Sequence, residues 1–122
     1  MGTFTHPITL YSESGEASET LEALVDTGSS FTTIPRPILE QLGVRPFATV
    51  KLRLATGQIV ERQIGETPVE LDGLPRRTVI CVFGDPEATS LIGAQTLENF
   101  LLAVDPDGKR LMPVDGWWAA HA

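Results

Sequence analysis

The residues with the clearest chemical potential lie in one short stretch, residues 24–30 (Leu-Val-Asp-Thr-Gly-Ser-Ser). Two apolar residues run into Asp26, which indicates a buried strand that ends at a carboxylate. Gly28 permits close approach of the backbone, and the hydroxyls of Thr27 and Ser29 offer hydrogen bonds. A carboxylate placed in this way is a candidate general acid or base. Asp, Ser and Gly are also common in ordinary turns at strand ends, which is the alternative interpretation.

The motif Asp26-Thr27-Gly28-Ser29 resembles the catalytic loop of the aspartic proteases, Asp-Thr-Gly-Ser. In that family two carboxylates hold one water between them. One carboxylate acts as general base on the water, and the other as general acid toward the scissile carbonyl and the leaving amine. The resemblance implies that Thr27 hydrogen-bonds across the pair of loops. It also implies that the Gly28 N–H reaches a carboxylate oxygen, and that the Ser29 hydroxyl donates to the same carboxylate.

The sequence offers no second carboxylate in such a motif. The remaining aspartates each directly precede glycine or proline and are typical of turns: Asp72, Asp85, Asp105, Asp107 and Asp115. A chain of 122 residues is also about one small domain. If Asp26 is catalytic, its partner is therefore predicted to be Asp26 of a second copy, across a two-fold axis. This arrangement is that of the retropepsin-like branch of the family, not of the two-lobed pepsin-like branch.

A hairpin in the middle of the chain occupies the position of the retropepsin flap. Alternating apolar and polar residues predict strands at 50–54 and 58–63, with Ala55, Thr56 and Gly57 at the tip. The resemblance implies that this hairpin closes over a bound peptide and donates backbone hydrogen bonds to it. Retroviral flaps are rich in glycine at the tip, whereas this one has Gly57 alone. An ordinary surface hairpin is the alternative.

A second signature follows late in the chain, at Leu91, Ile92 and Gly93. It resembles the apolar-apolar-Gly segment that retropepsins place beneath the catalytic loop. There the chain crosses between the strands around Asp26, and glycine is needed because the backbones meet too closely for a Cβ. A common strand-to-helix turn is the alternative. The order of the two motifs is more specific than either motif alone.

Periodicity and turn residues predict the remaining elements. Helices are expected at 38–42 and 95–100, and further strands at 4–11, 20–25, 31–34, 67–71, 78–83, 101–104 and 110–114. The last two strands form a terminal hairpin that resembles that of bacterial members of the retropepsin-like group. The family resemblance implies that terminal strands of both subunits interleave. Trp117 and Trp118 are expected either on the core or at an interface.

Composition limits the function classes. The chain is 42% hydrophobic and 20% charged, as in an ordinary globular domain, and its net charge of −7 argues against a nucleic-acid partner. The sequence contains no apolar run that could span a bilayer and no visible secretory signal, so a cytoplasmic location is expected. The lone cysteine, Cys81, excludes an internal disulfide and is expected to be buried. Neither a metal nor another cofactor is expected.

The sequence therefore predicts one retropepsin-like domain over residues 1–122. Its fold is expected to be mainly β, a closed β-barrel of the acid-protease-half type with one or two short helices. The predicted function is that of a homodimeric aspartic endopeptidase acting on peptides or proteins. Two alternatives stay open: a catalytically silent peptide-binding or dimerisation module of the same fold, and a domain that is active only within a longer chain or assembly.

Overall fold

The structure is a computed structural model that describes residues 4–105 and 107–122. Its described part is mainly β with two short helices, as the sequence predicts. In chain order the elements are β1 (Phe4–Tyr11), β2 (Ser18–Val25), β3 (Thr32–Pro35), α1 (Arg36–Gln41), β4 (Pro46–Arg53), β5 (Ile59–Leu71), β6 (Arg77–Gly84), β7 (Leu91–Ile92), α2 (Ala94–Asn99), β8 (Leu102–Asp105) and β9 (Arg110–Pro113).

Seven strands form one sheet in the order β1-β2-β7-β3-β6-β5-β4. The sheet returns on itself because residues 8–10 of β1 also pair antiparallel with residues 69–71 of β5. Six strands therefore form a ring, and β4 extends from it because it pairs only with β5 among the described strands. The strands β8 and β9 form a separate two-stranded sheet, which confirms the predicted terminal hairpin.

The strand β5 differs from the prediction, which separated residues 58–63 from residues 67–71. The two segments are one continuous strand of 13 residues. The residues between them stay in the ladder because Ile64 pairs with Ala48 on one side and with Val82 on the other. Gly65 does not interrupt the strand, since an added Cβ there would lie 2.9 Å from the carbonyl oxygen of Arg45. Glycine is therefore needed at position 65 because a neighbouring backbone lies close, and it does not mark a turn.

The core lies inside the ring and is covered by the two helices. Its buried apolar residues come from six strands of the main sheet, from both helices and from the terminal hairpin. Leu97 within α2 and Phe100 directly after it are both 3% exposed. A buried polar contact joins this helix to the sheet, since the hydroxyls of Thr32 and Thr96 lie 2.6 Å apart. Since both hydroxyls are satisfied, this polar pair is tolerated inside an apolar core.

The turn of the terminal hairpin is organised by one carboxylate. Asp105 accepts hydrogen bonds from the N–H groups of Asp107 and Gly108 and from Nε of Arg110. The Gly108 N–H, followed by the Arg110 guanidinium, holds the pKa of the Asp105 carboxyl below its usual range. This aspartate therefore acts in the turn, as its position before proline predicts.

Cys81 is fully buried in β6, as predicted, and burial raises the pKa of its thiol to about 12. Because the thiolate is the reactive form, we expect no labelling by a thiol reagent at pH 8 in the native protein and complete labelling in guanidinium.

In the unfolded chain the pKa of the Cys81 thiol is near its ordinary value of 9.0. The unfolded state therefore loses this proton first. The free energy of unfolding should be unaffected by the thiol below pH 9 and should fall between pH 9 and 12. Rapid stoichiometric labelling of the native protein would contradict this burial.

Candidate active site

The position of Asp26 is determined by the short strand β7. The strand β2 ends at Val25, and Asp26 follows directly. Parallel pairing aligns Leu24 with Leu91 and Val25 with Ile92. The Asp26 N–H then donates to the carbonyl oxygen of Ile92 over 3.0 Å. The backbone of the aspartate is therefore held as if it extended the parallel pair by one residue.

The side chain of Asp26 is oriented by the turn that follows it. The Gly28 N–H donates to Oδ1 of Asp26 over 2.9 Å, and the Ser29 N–H donates to the main-chain carbonyl of Asp26 over 3.2 Å. A Cβ on Gly28 would lie 3.1 Å from the same Oδ1, which explains why a residue without a side chain suits this position. One carboxylate oxygen is therefore oriented by the backbone, at a half-buried strand end.

The hydroxyl-bearing neighbours have different surroundings. Ser29 joins the loop to α2, since its carbonyl accepts the Ala94 N–H over 2.7 Å. The carbonyl of Ser30 accepts the Gln95 N–H over 3.0 Å in the same way. In the described part of the chain the bonds at Ser29 are made by its backbone, so donation from its hydroxyl to Asp26 stays a prediction. Thr27 is exposed, and its bond across two loops also stays a prediction.

Gly93 lies where its own backbone meets that of residues 29–31. A Cβ there would lie 2.5 Å from the carbonyl carbon of Phe31 and 2.9 Å from the carbonyl oxygen of Ser29, and closer still to the oxygen of Phe31. The Gly93 N–H donates to the hydroxyl of Thr32, which also contacts Thr96. The segment of Leu91, Ile92 and Gly93 thus runs directly against the Asp26 loop. This is the arrangement that the resemblance implied for it.

The predicted flap is the hairpin of β4 and β5. At its tip the Leu54 N–H donates to the carbonyl of Gln58, and the Gly57 N–H donates to the carbonyl of Leu54, each over 2.8 Å. Gly57 adopts a φ of +88°, so Ala55, Thr56 and Gly57 form a three-residue loop with glycine in the left-handed position. All three tip residues are exposed.

A cleft of about 390 Å³ separates the loop from this hairpin. One wall is formed by residues 28–31 and Thr33, the other by residues 51–54 of the hairpin, with Val82 between them. The structure therefore brings together two segments whose nearest members in sequence, Thr33 and Lys51, are 18 residues apart. Asp26 and the three tip residues are at the margins of this cleft and do not line it.

Sequence reasoning did not identify residues 51–54 or Val82 as cleft residues. Alternation predicted that residues 50–54 form a strand, but no sequence signal shows which loop a strand faces. The hydroxyl pair of Thr32 and Thr96 was also missed, since threonine is common in strands for its branched shape alone.

A second cleft has nearly the same volume, about 400 Å³, and lies between Glu13, Arg45 and Phe47. No residue of the Asp26 loop lines this second cleft, so it is not a candidate catalytic site. Within residues 4–105 and 107–122, no cluster of three or more His, Cys, Asp or Glu side chains is arranged to hold a metal ion. No helix among these residues has the length and apolar character needed to cross a membrane.

Comparison with solved structures identifies the class of fold. Among 31 matching chains is "EIAV protease complexed with the inhibitor HBY-793", with a TM-score of 0.58 and 14% sequence identity. The match covers 81% of this chain and 88% of that one, so the fold is that of the retroviral proteases. A family model described as aspartyl protease matches residues 14–96, and the chain belongs to that family. No curated protein matches the sequence.

Gly93 provides a test of how the loop is held. We expect Gly93→Ala to lower the free energy of unfolding by about 3 kcal/mol, because the added methyl group meets two backbone carbonyls that cannot move aside cheaply. The matched control is Gly116→Ala, since a Cβ at Gly116 meets no atom within 4 Å. Denaturant unfolding of both variants is the measurement. Equal stability of the two variants would show that the backbones around Gly93 are not closely packed.

Proposed function

We propose that this chain is an aspartic endopeptidase that works as a homodimer, with Asp26 from each of two copies activating one water molecule. The observation that carries the proposal is the oriented carboxylate of Asp26. It sits in an intact Asp-Thr-Gly-Ser loop, accepts the Gly28 N–H at 2.9 Å, and adjoins a cleft beneath a hairpin. Membership of the aspartyl protease family supports the same chemistry.

A second copy is proposed because no other aspartate lies in such a loop, and three of the five others are engaged elsewhere. Oδ1 of Asp72 lies 3.3 Å from Nε2 of His6, and Oδ2 of Asp85 lies 3.3 Å from the guanidinium of Arg62. Asp105 accepts hydrogen bonds within the terminal turn. Asp85 follows β6 at the end where the parallel strand β3 also ends, whereas the Asp26 loop lies where β3 begins. A two-fold axis beside the Thr27 loops would supply the missing carboxylate and give Thr27 a partner.

The chemistry of the proposed pair needs no covalent intermediate. Two carboxylates at short range share one proton, because both cannot be ionised readily. The ionised one removes a proton from water as the water oxygen attacks the scissile carbonyl carbon. The protonated carboxylate first donates its proton to the carbonyl oxygen. The leaving amine then takes up a proton as the C–N bond breaks. In this scheme the Gly28 N–H keeps one oxygen of Asp26 in a constant orientation.

The proposed substrate is an extended peptide or protein segment. The edge of β4 opposite β5 is unpaired within the described strands, so its backbone groups are free to bind a peptide in strand conformation. Residues 51–54 of the same strand line the cleft. We assign the tip residues Ala55, Thr56 and Gly57 the role of a cover that excludes water. The EIAV protease, which has the same fold, was solved in complex with an inhibitor, and this supports a ligand-binding role for the proposed peptidase.

The dimer is proposed to form through the C-terminal part of the chain as well as the loops. Large apolar side chains are exposed there: Leu101 (50%), Met112 (39%), Trp117 (54%) and Trp118 (102%). Trp117 and Trp118 are not buried on the described core, which leaves the predicted interface role for them. We also propose a reducing, cytoplasmic location for the protein, since its Cys81 is a free and buried thiol.

Substitution of Asp26 tests the catalytic assignment. We expect Asp26→Asn to abolish peptide cleavage, because an amide cannot serve as the base, and to leave folding and peptide binding within about twofold of wild type. Cleavage of a peptide library between pH 4 and 7 is the assay, and Asp72→Asn, in an exposed turn outside the cleft and the proposed interface, is the matched control. Activity that survives Asp26→Asn would refute the proposal. A wild-type protein that binds peptides without cleaving any would instead identify a silent binding module.

A mixing experiment tests whether two copies share one site. When an equal amount of Asp26→Asn chain is exchanged into wild type, mixed dimers form, and the activity per wild-type chain should fall to about half. Sedimentation should show dimers over the same concentration range. An unchanged activity after complete exchange would mean that each chain works alone, and the shared-site proposal would then be wrong.

A further inference from the structure

The cleft between the Asp26 loop and the hairpin has charged side chains of one sign only. Its charged lining residues are Lys51 and Arg53, and the rest of its wall is small, hydroxyl-bearing or apolar. Both cations are exposed. Neither forms an ion pair within the described part of the chain, where the four ion pairs involve other residues.

The acidic residue that the sheet places nearest to these cations is Glu61, which forms no ion pair with either of them. Glu61 is the cross-strand partner of Lys51 in the β4–β5 ladder. Its side chain lines a separate cleft, together with Arg36, Arg62 and Asp85. Arg53 stands opposite Ile59, which carries no charge. Cross-strand partners share one face of a sheet, so Glu61 offsets part of the charge of Lys51 but not that of Arg53, and the cleft keeps a positive excess.

The two cations also lie where a substrate side chain would pass. They are two residues apart on β4, so they project to the same side of that strand. A peptide bound along the free edge of β4 would present alternate side chains at the same spacing. The chain as a whole carries a net charge of −7, which disfavours acidic partners at long range. The attraction would therefore act within about 10 Å, the screening distance at 0.1 M salt.

We infer that this protein selects substrates that carry aspartate or glutamate within a few residues of the scissile bond, read by Lys51 and Arg53. The inference rests on the proposed peptidase function and adds the substrate class to it. In the proposed dimer each composite site contains both copies of the pair, so acidic residues on either side of the scissile bond are candidates. A closed hairpin would strengthen the attraction by removing water from around the charges.

The test compares peptides that differ in one charge. A peptide cleaved by the wild-type protein is resynthesised with Glu, Gln or Lys at each position up to four residues from the scissile bond. We expect kcat/KM to favour Glu over Gln by about threefold for each cation engaged and by about tenfold where both act. The preference should shrink in high salt, since exposed charge pairs are screened.

Matched variants assign the preference to the two cations. Lys51→Gln with Arg53→Gln should bring the Glu-to-Gln ratio close to one, and Lys51→Glu with Arg53→Glu should favour the Lys peptides. Arg45→Gln with Arg77→Gln removes the same charge at two exposed positions outside this cleft, and it should leave the ratio unchanged. Circular dichroism checks that each double variant is folded.

The outcomes separate this inference from the function on which it rests. Cleavage by the wild type with no Glu preference at any position overturns the acidic-substrate inference and leaves the peptidase proposal intact. A preference that persists in the Lys51→Gln, Arg53→Gln variant assigns it to other residues and also overturns the inference. A wild-type protein that cleaves no peptide at all overturns both.

Discussion

The close contact of backbones at Gly93 is the constraint on which the rest of the site depends. The two-residue strand β7 is inserted between β2 and β3, parallel to the first and antiparallel to the second. Its carbonyl at Ile92 accepts the Asp26 N–H, and the helix that follows Gly93 donates to the carbonyls of Ser29 and Ser30. The loop is thus held at its start by β7 and at its end by α2. Any side chain at Gly93 would separate these contacts, because the space it needs is filled by backbone atoms.

The two walls of the cleft are held to very different degrees. The Asp26 loop is bonded at its start to β7 and at its end to α2. The hairpin, by contrast, is attached through β5 alone along most of its length, and its tip residues are exposed. Strands paired on one edge open at a lower free energy than strands paired on both. The architecture therefore combines a firmly bonded loop that orients a carboxylate with a hairpin that is easier to displace, as the proposed entry and closure over a peptide would require.

The cleft beside the Asp26 loop has a charge opposite in sign to the net charge of the chain. Acidic residues outnumber basic ones, 16 to 9, yet the cleft beside the loop is lined by two cations and no carboxylate. Asp85 and Glu40 form ion pairs with Arg62 and Arg36, whereas Glu61 stands opposite Lys51 in the β4–β5 ladder. The catalytic carboxylate proposed at Asp26 is thus accompanied by cations at the opposite wall. Such separation allows a local positive region to persist on an acidic protein, since screening limits each field to its immediate surroundings.

The sequence by itself determined the local elements and the candidate loop. The periodicity of residues 20–25, the Asp-Thr-Gly-Ser turn, the proline and glycine that bracket α1, and the apolar run ending at Gly93 are signals within a few residues of one another, and the structure contains each corresponding element. Sequence did not determine that residues 59–71 form one strand, that Lys51 and Arg53 line the cleft, or that Thr32 meets Thr96. Those features depend on which strands become neighbours after the chain has folded back on itself. Pairing partners of this kind are chosen by packing across the whole sheet, so only the tertiary structure could decide them.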